Sequence, residues 1–534
     1  MSYYVIAVGG TGNKILESVV YAACADAFQL PDSQNTIPSI HLLSVDVDAA
    51  CGNTTRAKQA ALSYQKVQQA MQDSQYDHYC FHTAVDLEQW SINLSKRTAS
   101  VEKMSQNHAS DQVLAHVLFT EAESALEYNE GFLGHPDLGV LFFSDILDNL
   151  EQMSEQSYKD EFQSMLHSID DELNHDEDVH LILCGSIFGG TGASGIPAIA
   201  KYLQKRYLHF RNHFIMGAVL LLPYYQVPAA KKENEQEITV ESDTFLDKAR
   251  TALQYYGMEN MMRDNADDNK GLFDALYLLG LPPEQFIKMK TYSTGSDTQE
   301  NDAHLLEWIA ARCIAHFMKH TFRGKEQNMI DCYYYQMNQK QLSWRCFDSD
   351  AAEYCVHYGA LLKSSLVYCT ECYDPLIEWV RNRNQKAIRV NYCAANFSDI
   401  RLMTAKQRAD LEETLQALYR FYSFYINWFS QIMDNLPPVF HEKNQKNKMV
   451  NSNVLFQLRE YLRESGLKQK NKVFLDGLSG NLQREFQNFL FLPVKDTQSW
   501  SKCISQLGNI SSPAQPQQCF SQFLSALLES TLDM

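Results

Sequence analysis

His180-Leu-Ile-Leu-Cys-Gly-Ser-Ile-Phe-Gly-Gly-Thr-Gly-Ala-Ser-Gly-Ile196 runs from an unbroken apolar stretch through a glycine-rich turn into a segment that reads as a helix, Ile196 to Tyr207. A strand apolar on every residue belongs in a parallel sheet covered by helices on both faces. Glycines let a backbone approach a phosphate closely, and the free amides at a helix start, helped by the helix dipole, attract negative charge. The amino terminus repeats the arrangement: Tyr3 to Val8 is apolar, Gly9-Gly10-Thr11-Gly12-Asn13 is the turn, and Asn13 to Phe28 reads as helix. Two such loops can grip one polyphosphate from two sides. Either loop alone is compatible with a turn that merely ends a strand, but the pair is harder to dismiss in this way.

Spacing separates the familiar phosphate sites. A dinucleotide fingerprint needs a small residue where Ile15 stands after Gly10 and Gly12, so it fails at its third glycine. A Walker A loop needs a lysine after its last glycine, whereas Gly185 to Gly190 is followed directly by Thr191.

Working outward, Ile40 to Val45 is a further strand that ends in Asp46-Val-Asp48, and Phe214 to Leu222 and Ala275 to Leu281 are two more. Strand and helix signals alternate through the first 330 residues, which predicts an α/β fold with a Rossmann-like parallel sheet. The intervening stretches Thr54 to Gly131 and Leu138 to Asp178 are long and polar, with helical periodicity at Ala60 to Met71, and read as covering helices and insertions. After about residue 360, Leu376 to Arg383, Ala405 to Met433 and Val454 to Ser465 look helical and strands become rare. The organisation expected is a nucleotide-binding domain over 1–320 and a second domain over 321–534. The second has a short β portion, then a mainly α-helical region with an internal linker at Leu436 to Met449.

Composition sets the outer limits. Of 534 residues, 45% are hydrophobic and 21% charged, as in an ordinary globular protein and unlike a disordered or membrane chain. The opening MSYYVIAVGG goes straight into a strand without a basic region or cleavage site, and no run approaches a bilayer span, so a cytoplasmic protein is expected. The formal net charge of −19, with basic residues interspersed among acidic ones, opposes nucleic-acid binding. The 13 cysteines are scattered, and reduced buried thiols are the expectation. Cys355, His357, Cys369 and Cys372 are zinc-ligand types, but structural zinc sites pair two short-spaced couples, and Cys355-Val-His357 reads as part of a buried strand. No metal is assigned to them.

Phe188-Gly-Gly-Thr-Gly-Ala-Ser-Gly195 resembles the GGGTGTG or GGGTGSG signature of the tubulin and FtsZ superfamily, including the apolar strand before it and the helix after. The superfamily's other nucleotide loops have counterparts in chain order. Val8 to Asn13 resembles the opening glycine turn with its Asn before a helix. Asp46-Val-Asp48-Ala49-Ala50 resembles the NTDAQ loop, and Gly131-Phe-Leu-Gly134-His-Pro136-Asp-Leu-Gly139 the loop that senses the terminal phosphate. Leu222-Pro223-Tyr224-Tyr225 resembles the loop near the ribose. Glu300-Asn301-Asp302-Ala303-His304 opens a long helix, to about Phe317, that resembles the central helix joining the two halves. The resemblance covers roughly residues 3 to 360 and is nearer to divergent prokaryotic tubulin-like proteins than to FtsZ itself, because of the inserted segments and the helical end.

The resemblance implies GTP or GDP as ligand, with Mg²⁺ bridging phosphate oxygens. It gives the phosphates to Gly9, Gly10, Thr11, Gly12 and Asn13 and to Gly189, Gly190, Thr191, Gly192, Ala193, Ser194 and Gly195. Asp46, Asp48, Gly134, Pro136 and Pro223 line the site, and Asn301 or Asp302 reads the guanine edge. Simple helix capping remains an equal reading of Asn301 and Asp302. Hydrolysis in the superfamily needs acidic residues that reach the neighbouring subunit's nucleotide, written NxDxxD in FtsZ. The stretch Thr321 to Glu353 lacks that pattern but carries Asp331, Asp348, Asp350 and Glu353, with Asp348 and Asp350 the better placed. Whether the chain is a GTPase is therefore left open. Two functions follow: a GTP-dependent head-to-tail filament, or a nucleotide-bound scaffold or signalling component, as in a bacterial defence or partition system, whose helical carboxyl-terminal region binds a protein. A Rossmann-like oxidoreductase is disfavoured by the failed fingerprint.

Overall fold

The apolar runs assemble side by side in a seven-stranded sheet of order β3-β2-β1-β4-β5-β7-β9. These strands are β1 (Ser2–Val8), β2 (Ser39–Val45), β3 (Ala84–Gln89), β4 (Val179–Ser186), β5 (Phe214–Leu221), β7 (Ala275–Gly280) and β9 (Asp331–Gln336). The computed structural model describes residues 2–29, 38–48, 51–72, 78–90, 100–105, 109–128, 131–152, 160–210, 212–228, 242–258, 272–289, 300–319, 331–336, 351–381, 391–435, 500–509, 513 and 515–532. All eight residues of β4 are buried, as the apolar sequence requires of a central strand. The pairs β1–β2, β1–β4, β4–β5, β5–β7 and β7–β9 are parallel. A second, two-stranded sheet pairs β6 (Tyr225–Gln226) with β8 (Ile287–Lys288).

Helices connect the strands. The first of them are α1 (Gly9–Cys24), α2 (Gly52–Gln72), α3 (Val101–Ser105), α4 (Ala109–Leu118), α5 (Glu121–Ala125), α6 (Pro136–Gln152) and α7 (Glu161–Asn174). They continue with α8 (Gly190–Arg206), α9 (Phe245–Met258) and α10 (Leu305–Lys319). From residue 351 the described chain is helical: α11 (Ala351–Val367), α12 (Tyr373–Arg381), α13 (Asn391–Asn396), α14 (Ala405–Asp434), α15 (Trp500–Gly508) and α16 (Cys519–Leu532), with one π-helical turn at Tyr368–Cys372. The α/β sheet with a helical carboxyl-terminal region is the architecture read from the sequence.

The chain forms two compact units, each drawing on three stretches: Met1–Val19, Pro38–Gln59 and Asp86–Asn338 in the first, Val20–Ile37, Ala60–Val85 and Gln339–Met534 in the second. The first holds most of the sheet. The second has an aromatic core in which the Tyr21 ring lies 4.8 Å from Trp428 and 5.2 Å from Tyr425. There α14 begins at a capping box, the Thr404 side chain accepting from the Gln407 amide while Gln407 Oε1 accepts from the Thr404 amide.

Several boundaries differ from the sequence reading. The first helix starts at Gly9, taking in the glycines, and ends at Cys24 rather than Phe28 because Asp26 turns the chain with φ of 59°. The signature helix likewise begins inside the glycines, at Gly190. Strand β3 was not anticipated, because its burial alternates at the sheet edge and its sequence, Ala-Val-Asp-Leu-Glu-Gln, is half polar. Cys355-Val-His357 is helical, within α11, and not a strand. Helix α11 runs against α14, to whose Tyr422 and Tyr425 its Ser364 and Tyr358 hydrogen-bond. The proposed linker Leu436 to Met449, the helix Val454 to Ser465, and Asp348 and Asp350 lie outside the described residues.

Candidate functional site

Register decides where the loops go. Val8 of β1 is level with Val45 of β2 on one side and Gly185 of β4 on the other, and Ser186 is level with Leu221 of β5. With all four strands parallel, their carboxyl ends line up along one edge of the sheet. The chain then leaves β1 to one side, towards β2, while β4 lies on the other side, so the crevice outside β1 and β4 is a topological switch point, where α/β sheets bind ligands. Gly9 to Asn13, Asp46 to Asp48, Gly189 to Gly195 and Pro223 all follow directly on these strand ends.

The two glycine loops touch. Gly9 has φ of 78°, and a Cβ there would come 3.2 Å from Thr191 Cβ and 3.3 Å from the Gly192 nitrogen. The third loop joins them: a Cβ on Gly190 would lie 2.8 Å from Phe132 Cβ, 3.2 Å from the Gly134 nitrogen and 3.3 Å from the His135 nitrogen. Backbone from three segments is thus closely packed around these glycines; the His135 amide is given to the Phe132 carbonyl at 2.8 Å, and the glycine amides beside it suit an anion. Gly189 caps α8 with no side chain of its own, Ser194 Oγ donates to the Gly190 carbonyl at 2.8 Å, and Pro136 is the first residue of α6. Lys248 of α9 donates to the Gly134 carbonyl at 2.8 Å, fixing the third loop from outside.

Asn13, the fifth residue of α1, is fully buried, and neither its side-chain oxygen nor its nitrogen has a hydrogen-bond partner. A buried amide left unpaired costs about 1–3 kcal/mol, which a ligand making those bonds removes. Asp46 and Asp48 are both buried after β2, and the Asp48 amide donates to Asp46 Oδ1 at 3.4 Å. Burial first, and then the neighbouring Asp48 charge, push the Asp46 carboxyl up to about 7. A cation shared by the pair would reverse that cost, so their chemistry fits Mg²⁺.

Asn301 is held by its backbone. Its amide donates to Asn53 Oδ1 at 3.0 Å and its carbonyl accepts from Arg56 Nη1 at 3.3 Å, while Arg56 Nε pairs with buried Glu17 at 2.8 Å. His304 caps α10: its Nδ1 accepts from the Leu306 amide at 3.0 Å, and its own amide donates to Glu307 at 2.8 Å. Glu307 also takes the Lys14 ammonium at 2.5 Å and the Tyr224 hydroxyl at 2.6 Å. Reading the sequence missed Asn53, Arg56, Lys14, Lys248, His304 and Glu307. Of these only His304, with a Glu three residues on, carried a local signal, that of a capping box.

Cys369 and Cys372 are buried on the π-helical turn, and burial raises both thiols. Among the described residues, one group brings three metal-ligand atoms within 4.8 Å of one another: Glu123, His135 and Asp137. Glu123 there is already engaged by the Thr120 capping box and by His135 at 3.1 Å.

A family model described as tubulin-like matches residues 4–367, and the chain belongs to that family. No curated protein matches it. The match takes in every described glycine loop and stops as α11 ends, so the helices from α12 onward lie beyond it. No described helix is long and apolar enough to cross a membrane.

Proposed function

We propose that this tubulin-like chain binds a guanine nucleotide across the loops at the carboxyl ends of β1, β2, β4 and β5, and assembles head to tail when the triphosphate is bound. The observation that carries the reading is the contact of Gly9 with Thr191 and Gly192, with an Asn13 amide buried without partners four residues further along α1. Three amide-rich segments meeting at one point suit a polyphosphate better than a single phosphate. The amides of Gly9 to Gly12 and Gly189 to Gly195 cradle the phosphates, Thr191 donates to them, and Gly134 and Pro136 stand where the third phosphate is sensed. Asp46 and Asp48 would hold Mg²⁺, whose chemistry is to neutralise the phosphate oxygens during transfer. Pro223 and Asn301 or Asp302 face the nucleoside. With His304 supplying the cap of α10, the base-reading role for Asn301 gains weight over the capping one.

Assembly follows from an ordered phosphate loop, a recognised switch between nucleotide states. The acidic groups that would complete hydrolysis in the next copy are Asp348 and Asp350. Titration calorimetry with GTP, ATP and NAD tests the ligand, with GTP expected to bind at least tenfold more tightly than ATP and NAD not at all. Sedimentation with GTP against GDP tests assembly. Light scattering that stays flat with GTP over a wide protein concentration range removes the filament and leaves a nucleotide-bound scaffold acting through its carboxyl-terminal helices.

A further inference from the structure

Three segments of the candidate site converge on His304. Its ring lies 4.6 Å from that of Tyr224, in the loop after β5, and its amide is held by Glu307, which in turn holds Lys14 of α1. His304 as a whole is 3% exposed. Its state is set by its neighbours: Nδ1 accepts from the Leu306 amide, so that nitrogen carries no proton. Burial, together with the Lys14 charge, holds the pKa well below the ordinary histidine value, so the ring is neutral. The single proton therefore sits on Nε2, making it a donor, and Nε2 is buried with no hydrogen-bond partner. The cap uses one nitrogen. The other is oriented, uncharged and unused, and Asn13, one residue before the Lys14 that Glu307 holds, likewise has an unpaired side-chain amide.

We propose that His304 Nε2–H donates to an acceptor on the nucleoside part of the bound nucleotide, either a ribose oxygen or a purine oxygen or nitrogen, and so adds a specificity contact that no phosphate loop supplies. The inference rests on the nucleotide reading above and deepens it. An unpaired donor in a buried site favours a ligand that brings the acceptor and penalises one that lacks it, which is how polar sites discriminate strongly.

The test separates cap from contact. Asparagine is among the best helix caps and keeps a short acceptor for the Leu306 amide, but it has no group at the position of Nε2. In the full-length chain, His304→Asn is expected to leave the melting temperature of nucleotide-free protein close to wild type. It should also leave the affinity for inorganic tripolyphosphate unchanged and weaken GTP binding roughly ten- to a hundredfold. Analogues of GTP altered singly at the 2′-oxygen, the 3′-oxygen or the 6-oxo group identify the acceptor: the one lacking it binds wild type and His304→Asn alike. Equal GTP affinity in the two proteins overturns the contact, as does a parallel loss of tripolyphosphate binding, which would mean that the substitution disturbs the phosphate loops. A wild-type chain that binds neither GTP nor tripolyphosphate overturns the nucleotide reading itself, a result distinguishable from failure of the His304 contact alone.

Discussion

Asn13 sets function against stability at a single side chain. Its amide is enclosed by protein and unpaired on both atoms, so replacing it with leucine, of similar size and without polar atoms, should stabilise the nucleotide-free protein by about 1–2 kcal/mol. The same change should weaken GTP binding by roughly tenfold or more, since the bonds that satisfied the amide are lost. Thermal melts with and without nucleotide check both halves, and a destabilised nucleotide-free variant would mean that Asn13 is already satisfied in the apo protein. Asp46 makes a pH prediction. Its folded-state value, about 7, is above the ordinary 3.8, so folding favours the proton-bound form. The stability it contributes is complete below about pH 3.8 and is lost as pH rises through 7. Asp46→Asn should therefore flatten the melting temperature between pH 5 and 8 and raise it at pH 8, by roughly 2–4 °C for each kcal/mol recovered. Mg²⁺ with GTP should restore the wild type at pH 8 but help the variant much less. A wild-type melting temperature that does not fall over this range would show that Asp46 is ionised without cost.

At the scale of elements, the third loop is the piece with the clearest external support. Gly134 has φ of 83°, its nitrogen faces Gly190, and its carbonyl is held by Lys248 from α9. Under the proposed function this loop senses the terminal phosphate, which requires its position to be set by something else, and Lys248 is in place to do so. Lys248→Met keeps the aliphatic stem on the surface of α9 and removes the donor. GTP and GDP affinities should then approach each other by roughly three- to tenfold, as expected for one hydrogen bond, with the nucleotide-free melting temperature nearly unchanged. An unaltered GTP-to-GDP ratio would take the loop out of the sensing role. The helix starts also explain what a linear sequence conceals. Apart from Gly189, which caps α8, the glycines of both loops lie within the first two turns of α1 and α8, where their missing side chains permit close packing.

For the molecule as a whole, the central strands and the glycine loops after two of them were legible because parallel strands buried on both faces must be continuously apolar, and glycine turns mark their ends. Edge strand β3 was not legible, since its polar alternation carries half of that signal. The glycine loops of the candidate site were legible for the same reason, whereas the ion pairs packed beside them were not. Lys14, Glu17, Arg56 and Glu307 are ordinary surface residues by composition, and only the fold reveals that they pair in its interior. The mispredicted strand at Cys355 has a related cause: a run rich in apolar residues reads alike as a buried strand or as a buried helix. The central claim is that this fold holds a guanine nucleotide. The measurement that tests it most directly is to denature the purified full-length protein and identify the released small molecules by ion-exchange chromatography, alongside Asn13→Leu. Recovery of GTP or GDP from the wild type, much reduced in the variant, is the result predicted. Recovery of an adenine nucleotide, or of none together with no binding of added GTP, would contradict the account.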